Sequence, residues 1–221
     1  MVLVSSSKAE RLTAGCLLSC IGGFLDIYTY LQRGEVFANA VTGNLVLLGL
    51  AVARLQWGSA LKYLIAIVAY ALGVGLAEII KNRAVPIKKL SWQQFILIVE
   101  CCCLLPVPFI PCGDGDFIVT SLIALVCALQ VQTFRKVRGL PFASTMCTGN
   151  LRSGMESLAN GFLHKEREEF NKAWHYGVII LCFILGAVAG AVLLQWSGRY
   201  IFLVLPLGLL GVLLLISPCG E

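Results

Sequence analysis

Charge is what this chain has least of. Its 221 residues include 17 Lys+Arg and 12 Asp+Glu, or 13% charged, where an average soluble domain carries about 25%. A soluble domain this small has a high surface-to-volume ratio and needs a polar exterior that so few charges do not supply. Histidine is rarer still, at two residues. No HExxH, nucleophile elbow, Walker loop or Rossmann glycine pattern occurs. Ser and Cys without a nearby His make no case for acyl transfer. The ten cysteines form no CxxC with a second CxxC or His pair, so neither zinc nor another metal is expected. Cys16 and Cys20 lie one helical turn apart, but two soft ligands make a weak site. The expectation is a protein that is not an enzyme and needs no cofactor.

What fills the space is apolar. Hydrophobic residues make up 58% and mean hydropathy is +0.86. A bilayer is the solvent that accepts such a composition. Most cysteines fall inside apolar runs, where they read as small packing residues. The net charge of +5 is spread in short clusters between runs, a topology signal and not a nucleic-acid footprint. No A-x-A cleavage site follows the first run, which reads as a retained span.

Eight apolar segments stand out, at about 12–32, 37–53, 58–80, 91–111, 116–134, 142–161, 173–196 and 199–217. Trp57, Trp92, Trp174 and Trp196 lie at ends of runs and act as depth markers. Ala69, Gly73 and Ala77, and Gly186 and Gly190, provide small faces for close helix packing. The chain also repeats itself. R-G-x-x-F-A at Arg33–Ala38 leads to T-G-N-L at Thr42–Leu45, and the same pattern at Arg138–Ala143 leads to Thr148–Leu151. Tyr63 precedes Gly73 by ten residues, as Tyr176 precedes Gly186. The expectation is one membrane domain over 1–221, with related halves at 12–111 and 116–217; such repeats occur in transporter folds.

Charge sorts the topology. With eight crossings and the N-terminus inside, seven basic residues lie inside and nine outside, which is no bias. If the two T-G-N segments enter and leave on one side, twelve lie inside: Lys8, Arg11, Lys81, Arg83, Lys88, Lys89, Arg135, Lys136, Arg138, Lys165, Arg167 and Lys172. Only Arg33, Arg54, Lys62 and Arg199 stay outside, with Asp114 and Asp116. The positive-inside rule favours the second arrangement. The fold class expected is therefore an all-α polytopic membrane protein. It has an inverted repeat, six transmembrane helices and two re-entrant T-G-N half-helices, with both termini cytoplasmic.

Three crossings per half invert the halves, so the T-G-N tips can meet near the midplane. Phe37–Val41 and Phe142–Cys147 read as extended peptide. Thr42 and Thr148 read as N-caps, with short helices from Asn44 to about Val52 and from Asn150 to about Asn160. Helix N-termini at that depth present unpaired N–H groups and partial positive charge to an anion or polar solute. Irregular backbone there implies a protein-lined or watery cavity.

Several polar residues fall inside the runs. Asp26 is either a coupling acid or substrate contact, or a partner of Arg33. Glu100, mid-run, is a second candidate proton carrier if it sits there neutral. Glu78 lies near Lys81 and reads as snorkelling. Gln130 and Gln132 occupy the second-half position corresponding to Asp26. Arg152 and Glu156 are expected to pair at i,i+4, and His164 and His175 to be solvated. The candidate substrate-binding set is Asp26, Asn39, Thr42, Gly43, Asn44, Gln130, Thr148, Gly149 and Asn150.

Gly22–Tyr30 (G-G-F-L-D-I-Y-T-Y) followed by Val36–Gly49 resembles the YoaK-type family of bacterial inner-membrane proteins, and Gln130–Leu151 is similar to that family's second signature. The resemblance covers nearly the whole chain. It implies a multi-span protein of the bacterial plasma membrane and supplies no activity, the family being a domain of unknown function. Arg152 and Glu156 depart from strict symmetry, because Val46, Leu47 and Leu48 follow the first T-G-N. The functional expectation is a small-solute transporter or channel acting on a polar or anionic solute. The alternative is a non-transporting membrane protein such as an assembly factor or sensor partner. The expected partners are the bilayer and that solute, with a homo-oligomer compatible and nucleic acid excluded.

Overall fold

The computed structural model describes residues 10–83, 90–113 and 115–217. Lys8, Lys88, Lys89, Asp114 and both chain termini, which enter the topology expectation, lie outside the described residues. In order, the elements are α1 (Leu12–Gln32), α2 (Val41–Ala53), α3 (Trp57–Arg83), α4 (Trp92–Leu104), α5 (Asp116–Thr133), a hairpin of β1 (Lys136–Val137) and β2 (Leu140–Pro141), α6 (Cys147–His164), α7 (Arg167–Ser197) and α8 (Val204–Ile216). Short 3-10 turns at Val107–Phe109 and Arg199–Leu203 extend α4 and precede α8.

Six helical segments are long and apolar enough to cross a membrane: Leu12–Gln32, Trp57–Arg83, Trp92–Phe109, Asp116–Thr133, Arg167–Trp196 and Arg199–Ile216. The chain is an all-α membrane protein. α2 is as apolar, but its 13 residues reach only about 20 Å at 1.5 Å per residue. α6 is amphipathic and too polar to qualify, carrying Arg152, Glu156 and His164.

Local chemistry sets the element ends. Ser91 and Gln94 form a reciprocal capping box at the start of α4: Gln94 N–H donates to Ser91 Oγ (3.3 Å) and Ser91 N–H to Gln94 Oε1 (2.8 Å). Arg138 and Gly139, both at positive φ, make the two-residue hairpin turn.

The helices pack as α1 on α7, α3 on α5, α2 on α3, α6 on α7, α4 on α8, α4 on α5 and α1 on α8. The crossings of the long pairs depend on missing side chains. A Cβ on Gly186 would collide with Cys20 O, one on Gly23 with Phe183 O, and one on Gly73 would lie 2.6 Å from Leu125 O. Without a hydrophobic drive between helices in lipid, such close backbone approach is the main source of attraction. α1 and α5 run antiparallel: Thr120 Oγ1 donates to Arg33 O (3.4 Å) at one end, and Gln130 Nε2 to Leu18 O (3.1 Å) towards the other.

Several side chains differ from expectation. Arg33 does not pair with Asp26; it bonds Asp116 at 3.0 Å, across 83 residues of sequence that no local pattern bridges. His175 is buried, 3.4 Å from Arg138, because α7 turns it against the hairpin and not outward. Arg152 and Glu156 form no ion pair among the described residues, and both side chains are exposed. Glu78 does pair with Lys81, at 3.1 Å. All nine described cysteines are free thiols.

Candidate functional site

Two irregular strands of backbone enter the bundle and meet at the middle of α1. Residues 36–40, which lead into α2, run beside its second half. Ala38 N–H donates to Thr29 Oγ1 (3.3 Å), Asn39 N–H to Asp26 Oδ1 (2.9 Å) and Asn39 Nδ2 to Gly22 O (3.1 Å). Residues 142–146, which lead into α6, approach the same helix from the hairpin side. A Cβ on Gly22 would lie 2.6 Å from Thr145 Cγ2 and 3.5 Å from Ser144 O. Gln130 Nε2 holds this strand through Ser144 Oγ (2.8 Å). Gly22 thus touches both segments, and only a residue without a side chain fits between them.

Each T-G-N asparagine closes its own loop. Asn44 Nδ2 donates to Phe37 O (2.6 Å), and Asn150 Nδ2 donates to Ala143 O (2.7 Å) while its Oδ1 accepts from Ala143 N–H (3.3 Å). Both bonds reach back seven residues, so the two loops are built alike. The helices begin slightly earlier than expected, at Val41 and Cys147, which puts Thr42 and Thr148 inside the first turn. Ala40 and Met146 occupy the cap positions, and neither makes a side-chain cap. The first-turn N–H groups therefore have no side-chain acceptor at the cap.

A cavity of about 1170 Å³ lies between the two helix starts. Of the expected residues, Asp26, Asn39, Thr42, Gly43, Thr148 and Gly149 line it. Asn44, Gln130 and Asn150 do not; they are buried and hold backbone carbonyls. Tyr70, Thr145 and Arg135 join the lining. Sequence reasoning passed over them. The polar pair Ser144-Thr145 inside an apolar run was the available signal for one, whereas Arg135 reads from sequence only as a topology charge.

Two lining residues carry orphaned polar atoms. Asn39 is 3% and Thr145 7% exposed, yet Asn39 Oδ1 and Thr145 Oγ1 have no hydrogen-bond partner. A buried polar atom without a partner is costly, and both of these belong to residues that line the cavity. Glu100 is fully buried, with both oxygens unpartnered. It belongs to α4, does not line the cavity and is not brought together with Asp26. Among the described residues no cluster of three or more His, Cys, Asp or Glu is arranged to hold a metal ion.

Comparison with known proteins extends the resemblance noted from the motifs. The chain is 28% identical over 171 residues to the UPF0700 transmembrane protein YoaK of Bacillus subtilis (strain 168), an overlap covering 74% of each chain. No solved structure matches. Residues 14–216 match the family described as "Protein of unknown function (DUF1275)". With nearly its whole length matched, from the start of α1 to the end of α8, the chain belongs to the DUF1275 family.

Proposed function

We propose that the chain is a transporter or channel for a small polar or anionic solute in the bacterial plasma membrane. In this reading the solute binds between the starts of α2 and α6. The observation that carries it is the cavity itself: both helix starts, Asp26, Asn39 and Thr145 line one space, and Asn39 and Thr145 each carry a buried oxygen without a partner. Uncapped first-turn N–H groups favour a carboxylate or another acceptor-rich group. Asp26 is the coupling acid, since a lone carboxyl at such depth is costly unless it works on a proton or cation.

An inverted repeat of halves 12–111 and 116–217 is part of the proposal. Exchanging α1, α2, α3 and α4 for α5, α6, α7 and α8 turns each packing pair into another. α1–α7 becomes α5–α3, α2–α3 becomes α6–α7, α1–α8 becomes α5–α4, and α4–α8 maps to itself. The antiparallel course of α1 and α5 supports inversion over simple duplication. Re-entrance of the T-G-N segments is supported by two contacts. Arg33 bonds Asp116, and Glu10 accepts from Arg138 N–H (2.7 Å). With eight crossings each of these contacts would join opposite membrane faces.

The test is a solute-uptake screen in proteoliposomes, across small carboxylates, inorganic anions and neutral polar solutes, with and without a pH gradient. A hit that depends on the gradient and is abolished by Asp26→Asn supports the reading. That variant keeps an oxygen for Asn39 N–H, so the fold is preserved. Uptake by Asp26→Asn at the wild-type rate removes the coupling role, and no uptake of any solute leaves the protein a non-transporting one.

A further inference from the structure

A second cavity, of about 590 Å³, lies at the hairpin end of the bundle and is lined by Glu10, Lys81, Trp92, Gln132, Arg135 and Lys136 among others. Gln132 and Arg135 line this cavity and the T-G-N cavity alike, so the two spaces adjoin at those side chains. Their chemistry is uneven. Gln132 is anchored, donating to Glu78 Oε2 at 2.8 Å, and Glu78 in turn holds Lys81. Glu10 accepts from Gly139 N–H at 3.1 Å. Arg135 and Lys136 are exposed and make no ion pair among the described residues. The outer space therefore presents two uncommitted positive charges against one carboxylate, that of Glu10, and Arg135 stands where the two spaces adjoin.

We propose that the outer cavity is the hairpin-side vestibule of the T-G-N cavity, and that Arg135 is its charge filter, admitting small anions in preference to cations. This rests on the transport reading, for which it supplies the solute's sign and its route. Charge lining a narrow, low-dielectric opening concentrates ions of opposite sign and raises their rate of arrival. Arg135 is suited to the task because its guanidinium has no ion-pair partner among the described residues. The filter reads charge, so carboxylates and inorganic anions of similar size share the route.

Cys147, at the start of α6, lines the inner cavity and is a native reporter. The experiment exposes membranes holding the full-length protein to two impermeant thiol reagents, anionic sulfonatoethyl and cationic trimethylammonioethyl methanethiosulfonate. Each is applied to one face at a time, and modification of Cys147 is followed by peptide-resolved mass spectrometry. Comparing the reagents at one thiol cancels that thiol's own reactivity. Exposed Cys112, at the opposite end of the bundle, is the control.

The expected result is modification from the hairpin face, faster with the anionic reagent. In Arg135→Glu the anionic-to-cationic rate ratio at Cys147 falls roughly tenfold, with an intermediate fall in Arg135→Gln and no change at Cys112. An unchanged ratio in Arg135→Glu overturns the filter. Modification only from the opposite face, or none at Cys147 in folded protein that reacts once denatured, overturns the vestibule. These results are independent of uptake: a reversed ratio with no solute transported sinks the transport reading alone.

Discussion

Arg33 shows how this protein handles a charge at the end of a span. Its side chain is fully shielded, and its fork reaches acceptors in α1, in α5 and in the stretch between α4 and α5. Nε and Nη2 donate to Tyr28 Oη (3.0 and 2.8 Å), Nη1 to Pro111 O and Asp116 Oδ1 (both 3.0 Å), and Nη2 also to Ile110 O (2.8 Å) and Val107 O (3.3 Å). Val107 O also accepts from Ile110 N–H, but among the described residues the Ile110 and Pro111 carbonyls take their bonds from this one guanidinium. Arg33→Ala strands them and is expected to cost about 3–5 kcal/mol, the range for breaking a buried pair. Arg33→Lys keeps the charge and loses the fork, so an intermediate loss is expected. Thermal unfolding in detergent checks both; a melting temperature for Arg33→Ala equal to the wild type would refute the clasp. The sequence marks Arg33 as half of a repeated R-G pair, as an outer-face charge and as an alternative partner of Asp26, but not as a partner of Asp116. Apart from Tyr28, its partners lie 74 to 83 residues away, and no spacing rule reaches that far. The side chain of Arg138, its repeat mate, is exposed and among the described residues contacts only His175.

At the scale of elements, hydropathy and length were sufficient to read the six long helices, because a run of 18 or more apolar residues has few other solutions. The starts of α2 and α6 lie two to three residues before the expected ones because no side chain caps them, so the usual Thr signal has no bond to report. The roles of Asn44 and Asn150 were equally hidden. A side chain that closes a loop onto a carbonyl leaves no periodicity, and both, expected among the binding residues, instead hold the carbonyls of Phe37 and Ala143. The small-residue faces were legible, and they now have partners. Gly186→Ala and Gly23→Ala push a methyl into a carbonyl of the facing helix, so α1 and α7 must separate. Overpacking of this kind costs about 1–3 kcal/mol or more. Gly177→Ala, on the same α7, meets nothing within 4 Å and is expected to match the wild type or to gain slightly in helix propensity. Size-exclusion profiles after graded heating separate these outcomes. Equal retention of Gly186→Ala and Gly177→Ala would mean that the crossing tolerates a methyl.

For the whole molecule, the decisive question is which residues share a face. A tally of charges argued for six crossings statistically; two hydrogen-bonded contacts now argue for them mechanically. Gln32 adjoins Arg33, which is fixed to Asp116, while Lys136 is in the hairpin that binds Glu10. Six crossings put Gln32 and native Cys112 on one face and Lys136 on the other. Eight crossings put Gln32 and Lys136 together and Cys112 opposite. An impermeant maleimide applied to intact cells stripped of outer barriers, and separately to inverted vesicles, distinguishes the two. Gln32→Cys and Lys136→Cys both replace exposed side chains, so neither disturbs packing. The expected pattern is Gln32→Cys and Cys112 reacting from the periplasmic or outer side and Lys136→Cys from the cytoplasmic side. Gln32→Cys and Lys136→Cys reacting from the same side would dismiss the re-entrant arrangement. The meeting point of α2 and α6 would then need another explanation, because helix starts that face one another in mid-bundle follow from chains that turn back before crossing.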